Sequence, residues 1–129
     1  MPIERLNPPD VGAPRGYHHV VKAGNTVYVA GQVARASDGS TVGKGDFAAQ
    51  ADRVFTNLKA CLRAAGASTD DLVKITVYMT RSQDLEEYRR IRAQHIGSED
   101  TAPASTLVVI SQLANPDFLI EVEAVAFTG

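Results

Sequence analysis

The sequence predicts one α+β domain, a sheet of at least five strands with two helices on one of its faces. Three observations carry this expectation. Two stretches repeat apolar residues at helical spacing, one stretch alternates strictly between apolar and polar residues, and further β-rich runs lie near both ends of the chain. With 129 residues, 44% hydrophobic and 22% charged, the chain has the size and balance of a single domain with its own core.

Four of the six prolines fall in residues 1–14, together with Asn7, Asp10 and Gly12, so this segment reads as an extended arm ahead of a domain over residues 15–129. Tyr17–Lys22 and Thr26–Ala30 are rich in β-branched and aromatic residues, and Ala23-Gly24-Asn25 supplies turn chemistry between them. The pair is a predicted hairpin. Ala36–Gly45 is a predicted loop. Asp46 is placed to cap a long helix whose apolar stripe runs Ala51, Val54, Phe55, Leu58, Cys61, Leu62, Ala65, and Gly66 ends it. Val73–Thr80 then alternates, with Val73, Ile75, Val77 and Met79 on one face and Lys74, Thr76, Tyr78 and Thr80 on the other. A second helix is predicted from Asp84, with Glu87 completing a capping box, Leu85, Tyr88, Ile91 and Ile96 as its stripe, and Gly97 as its end. Ser105–Ile110 and Phe118–Phe127 are two further predicted strands, joined through Ala114-Asn115-Pro116-Asp117. The order is β-β-α-β-α-β-β.

Composition narrows the function. A net charge of −2 and a pI of about 5.9 argue against a general nucleic-acid binder, which needs a basic surface to neutralise phosphates. The sequence holds no apolar stretch of membrane-spanning length and no secretory leader, so the expected compartment is the cytoplasm. The single cysteine, Cys61, excludes an internal disulfide. Two helices cover only one face of the sheet, yet Val108, Ile110, Val125 and Phe127 place apolar groups on the other. Soluble monomers rarely leave such a face bare, so a closed oligomer is expected.

Five motifs in order bring a family into view. They are Val29-Ala30-Gly31-Gln32, Ala48-Ala49-Gln50-Ala51 with Asn57-Leu58, Ala64-Ala65-Gly66-Ala67, Asp71-Leu72-Val73-Lys74 with Thr76-Val77-Tyr78, and Ile120-Glu121-Val122-Glu123-Ala124-Val125-Ala126. Across roughly residues 15–127 the chain resembles the Rid (YjgF-type) family. The resemblance implies a chorismate-mutase-like subunit with a mixed sheet, assembled as a homotrimer with small-molecule sites between subunits. It also implies hydrolysis of reactive imines and enamines such as 2-aminoacrylate, without metal or organic cofactor. One departure stands out. Deaminating members read Pro-Ala-Arg-Ser-Cys where this chain has Pro103-Ala104-Ser105-Thr106-Leu107. An arginine there grips the substrate carboxylate with a two-pronged fork, which a serine hydroxyl cannot imitate. The sequence therefore resembles a subgroup without that arginine, and standard 2-imino-acid deamination is not expected of it.

The candidate residues follow. By resemblance Glu121 orients the attacking water, which suits a carboxylate whose pKa is raised by burial or by the like charge of Glu123 two residues on. Tyr17 and Gly31 align with the cleft lining, and Ser105, Thr106 and Leu107 with the substrate-binding segment. Arg89 aligns with a polar cleft position and is a second source of positive charge, against the alternative that Arg89, Arg90 and Arg92 are a solvated face paired to Glu86 and Glu87. His18 and His19, as adjacent strand residues, face opposite ways and do not chelate one ion with His95. One of them could serve as a proton carrier. Cys61, on the helix stripe, is expected in the core. The expected activity is a deaminase-like hydrolase acting on an imine, enamine or related carbonyl metabolite. The alternatives are a non-catalytic trimer that binds a small metabolite and, third, a ribonuclease.

Overall fold

A computed structural model describes residues 2–129. Six strands and two helices run in the order β1 (Ile3–Leu6), β2 (Val20–Ala23), β3 (Thr26–Gln32), α1 (Phe47–Ala64), β4 (Leu72–Met79), α2 (Leu85–His95), β5 (Ala104–Val109) and β6 (Ile120–Phe127). The sheet order is β1-β2-β3-β6-β4-β5, antiparallel throughout except for the parallel β4–β5 pair. The sheet is therefore mixed, with both helices on one face, as the sequence predicts.

α1 forms as its residues dictate. The Asp46 carboxylate accepts the Ala49 amide at 3.1 Å. At the far end Gly66 takes φ +76°, its amide donates to the Arg63 carbonyl, and the Ala67 amide donates to the Leu62 carbonyl. These paired bonds close a helix on a left-handed residue. The stripe of Ala51, Val54, Phe55, Leu58, Cys61 and Leu62 is buried against the sheet and α2.

Four expectations are corrected. The first fourteen residues are not merely a lead-in: Ile3–Leu6 pairs with β2 as a sixth strand, and Val11 is buried in the core. The strand after the arm begins at Val20, not Tyr17, so His18 and His19 precede it and are not strand neighbours. On β4 the buried face starts with Leu72, and Val73 is exposed. The register shifts between Leu72 and Lys74, leaving Val73 as the extra residue of a bulge opposite Ala126 and Val125. At α2 the predicted capping box does not form. Arg81 captures the Asp84 carboxylate at 2.7 Å and Arg90 captures Glu87 at 2.6 Å, while a short 3₁₀ turn over Ser82–Asp84 leads in.

On β6, Ile120, Val122, Ala124 and Ala126 are buried beneath the helices, and Glu121, Glu123, Val125 and Phe127 face the other way. That second face also carries Tyr28, Tyr78 and Val108 through register with β6 and β4, and Tyr28, Val108 and Phe127 are exposed. Among the described residues no helix is long and apolar enough to cross a membrane.

Candidate functional site

Gly31 is the last residue but one of β3 and lies within an irregularity in its pairing with β6, between Val29 and Gln32. Its backbone lies against the Glu121 side chain so closely that a Cβ there would overlap Oε2 and come within 2.6 Å of Cδ. Any larger residue at 31 therefore displaces the carboxylate. Glu121 is half-buried, and that burial pushes its carboxyl above the usual carboxylate range, with the Glu123 charge adding to the effect. Glu123 itself accepts the Tyr78 hydroxyl at 3.0 Å, which raises the Tyr78 pKa. Tyr17, Gly31, Val33, Phe118 and Glu121 together line an open cavity of about 440 Å³. A carboxylate whose hold on a proton is strengthened beside such a space can take a proton from water and return one.

Buried amides frame this cavity. Gln50 donates to the Gly43 and Asp117 carbonyls and accepts the Leu119 amide at 2.8 Å, tying α1 to the entrance of β6. Asn57, one face-repeat later on α1, donates to the Val33 and Arg35 carbonyls. His19 is buried, with Nε2 2.6 Å from the Gly12 carbonyl and Nδ1 3.2 Å from Gln32 Nε2. These contacts fix the ring as Nε2-protonated if Gln32 is the donor to it. Tyr17 meets the His19 ring edge-on at 5.6 Å. The roles of Gln50, Asn57 and Gln32 were not read from the sequence. The signal is there for two of them: Gln50 and Asn57 are polar residues on the apolar face of an amphipathic helix, which demands partners.

A second cavity of about 420 Å³ lies between α2 and β5, lined by Leu85, Tyr88, Arg89, Arg92, Ser105 and Leu107. Ser105 and Leu107 register with Ile75 and Val77 of β4 and so share the helix side of the sheet. Thr106 does not join them. It registers with Thr76 on the other face, and its hydroxyl accepts Lys74 Nζ at 2.5 Å. Arg89 and Arg92 make no ion pair among the described residues, so the expected pairing of this basic stretch to acids holds only for Arg90 with Glu87. Within one chain the candidates thus divide into two separate cavities, Tyr17, Gly31 and Glu121 in one and Arg89, Ser105 and Leu107 in the other.

The remaining candidates lie apart. His18 Nδ1 meets Asn7, and His95 pairs with Asp52 at 2.8 Å while stacking on Phe55. Cys61 is buried, which pushes its thiol up to about 12. A thiol so shifted is not a nucleophile at neutral pH.

Residues 9–128 match the family described as endoribonuclease L-PSP. A RutC family protein of Pyrococcus abyssi is 38% identical over 111 residues, covering 86% of this chain and 85% of its own. A 2-iminobutanoate/2-iminopropanoate deaminase of Dermatophagoides farinae is 28% identical over 109 residues, 84% of this chain and 83% of its own. Among solved structures, Escherichia coli TdcF with bound serine superimposes with a TM-score of 0.88 at 28% identity, over 98% of this chain and 99% of that one.

Proposed function

This chain belongs to the endoribonuclease L-PSP family, the Rid/YjgF group, and on that premise we propose that it is a deaminase-like hydrolase of a small imine, enamine or related carbonyl metabolite. The observation that carries this reading is the Glu121 carboxylate, half-buried, raised in pKa and seated on the bare backbone of Gly31. Glu121 accepts a proton from water as the oxygen bonds to the C=N carbon. That proton passes to nitrogen to give a carbinolamine; the carboxylate then takes the hydroxyl proton and delivers it to nitrogen as the C–N bond breaks, so that ammonia and a carbonyl compound leave.

The site is built between subunits. Each chain offers two open half-cavities that share no residue, and the exposed Tyr28, Val108 and Phe127 leave a sheet face to be covered. A trimer in which the Glu121 half of one subunit meets the α2–β5 half of the next satisfies both. Light scattering at micromolar concentration is expected to give three times the 13.8 kDa chain mass, and a stable monomer would remove the shared site. In that trimer Tyr17, Gly31 and Glu121 face the ligand from one side, and Arg89, Ser105 and Leu107 from the other.

The test is ammonia release from a panel of imines, generated in situ by an amine oxidase as well as by an amino-acid oxidase, so that substrates with and without a 2-carboxylate are both read. Glu121→Gln keeps the shape and removes the base, and is expected to lower turnover about 10²-fold or more while the trimer persists. Unchanged turnover would exclude Glu121 as the base. The competing reading, a trimer that binds a metabolite without altering it, is favoured by Ser105 in place of the arginine fork. A wild type that holds its ligand for hours unchanged would establish it. Ribonuclease activity, which the family description names, is disfavoured by the net charge of −2.

A further inference from the structure

The α2 segment and the residues that lead into it carry four arginines, and the structure divides them into two kinds. Arg81 and Arg90 turn to neighbouring acids, Asp84 at 2.7 Å and Glu87 at 2.6 Å. Arg89 and Arg92 line the cavity against β5 and have no acidic partner among the described residues. Nor is there a carboxylate among the residues that line that cavity. A half-buried arginine and its exposed neighbour therefore share one concave space that no carboxylate of the same chain lines.

A second, independent observation lies in the same wall. Tyr88 also lines the cavity, it is only 4% exposed, and its hydroxyl is buried with no hydrogen-bond partner. Burial holds that phenol protonated, up to about 12, so it is a donor without an acceptor. Buried polar groups are rarely left so, because the unmade bond costs free energy. Phe55, which packs beside the ring at 6.1 Å, has nothing to accept it. Two cations on one concavity, with an orphaned donor packed within its wall, describe a site for an oxygen-rich anion.

We infer that the α2–β5 cavity is an oxyanion-binding half-site, in which Arg89 and Arg92 take the acidic group of the ligand and the Tyr88 hydroxyl donates to it, replacing from the helix the charge that β5 lacks at Ser105. The ligand class is a small carbonyl or imine compound that carries a carboxylate or phosphoryl group. This rests on the hydrolase reading for what happens to the ligand, but not for whether the anion binds.

The experiment titrates the intact protein with pyruvate, inorganic phosphate and pyruvamide, the neutral isostere of pyruvate, at one ionic strength set with potassium chloride, and reads binding by calorimetry. Pyruvate or phosphate is expected to bind at least about tenfold more tightly than pyruvamide, since charge-assisted bonds are the strong ones. The tighter of the two anions names the source, carboxylate or phosphoryl. Arg89→Gln and Arg92→Gln are each expected to weaken that anion about tenfold or more, and Tyr88→Phe several-fold. Because Tyr88→Phe also removes an unpaired buried polar atom, its melting temperature without ligand should hold or rise. A destabilised Tyr88→Phe would show that the hydroxyl already has a partner. Equal binding of pyruvamide and pyruvate, absence of anion binding, or full binding by the arginine variants would each overturn the inference. Anion binding through Arg89 and Arg92 without imine turnover would sink the hydrolase reading alone, and turnover without anion binding would sink this one alone.

Discussion

The two cavities differ in what holds them in shape. The one around Glu121 is set between central strands, β3 and β6, and its walls are tied by buried amides: Gln50 to three backbone groups, Asn57 to two, and Gln32 to His19. The one around Ser105 is set at the sheet edge, where β5 is bonded only to β4, and the side chains of α2 that complete it are unpaired. A reacting carboxylate needs fixed placement, because misplacement of about 1 Å costs orders of magnitude in rate. An anchoring group can lie on a softer edge, since a charge attracts over a longer range. On the proposed function, the chemistry is held at the rigid place and the choice of ligand at the adaptable one.

Perturbing the rigid cavity is expected to have the largest effect. Gly31→Ala puts a methyl group into the Glu121 carboxylate and should lower turnover about 10²-fold, as Glu121→Gln does. Both act on the same carboxylate, so the double variant should lose little more than either single one. Additive losses would mean that Gly31 serves something other than the placement of Glu121.

Gln50→Ala comes next. It removes three hydrogen bonds and strands the Leu119 amide and the Asp117 carbonyl, while the Gly43 carbonyl keeps the Asp46 amide. The expected cost is about 2–3 kcal/mol, from the net value of such bonds and the penalty for groups left unpaired. Thermal unfolding should show a drop of roughly 5–10 °C. A matched change at the soft edge, Arg89→Gln, should move the melting temperature by about 1 °C or less, because exposed unpaired cations add little stability. Similar losses from both would dissolve the contrast between the two cavities.

Sequence reading reached the rigid region better than the soft one. α1 was legible to the residue at its start because Asp46, the apolar stripe and Gly66 all agree, and the pairing of Glu121 with Glu123 on one face follows from period-two alternation. The Val73 bulge was not legible, since an extra residue breaks the alternation only through pairing with β6, far away in sequence. Nor was β1: Ile3–Leu6 sits among prolines and becomes a strand because the edge of β2 offers it partners. Alternation could have separated Thr106 from Ser105 and Leu107, but the three were carried as one segment by resemblance. The unpaired hydroxyl of Tyr88 has no signature in a stripe residue; only packing reveals that its oxygen has nowhere to bond.

Ser105→Arg sharpens the contrast from the soft side. It places a fork-shaped donor in the cavity that Arg89 and Arg92 line, and is expected to raise hydrolysis of 2-iminopropanoate about tenfold, the worth of one charge-assisted bond to a carboxylate. Wild-type turnover of that substrate should be slow. A fall in activity with Ser105→Arg would mean that three guanidinium groups crowd one anion.

The smallest expected effect concerns Glu121 and pH. Burial first, and the Glu123 charge second, raise the folded-state pKa of Glu121 above its ordinary 4.5. An acid shifted upward binds its proton more tightly in the folded state than in the unfolded one. The stability this confers is complete below the unfolded value and is lost as pH rises through the folded value. Above the folded-state value the ionised carboxylate is therefore a local cost to stability. Glu121→Gln, neutral at every pH, should melt about 1–3 °C above the wild type at pH 7.5, and the gap should close below pH 4.5. Both proteins are to be compared at one concentration, since the melting point of an oligomer depends on it. A Glu121→Gln protein that melts below the wild type at pH 7.5 would show that the charged carboxylate has a cationic or hydrogen-bonding partner in the assembly. The candidates are then Arg35, which lines the same cavity, and the neighbouring subunit's face, and a loss of the effect in Arg35→Gln would separate the first from the second.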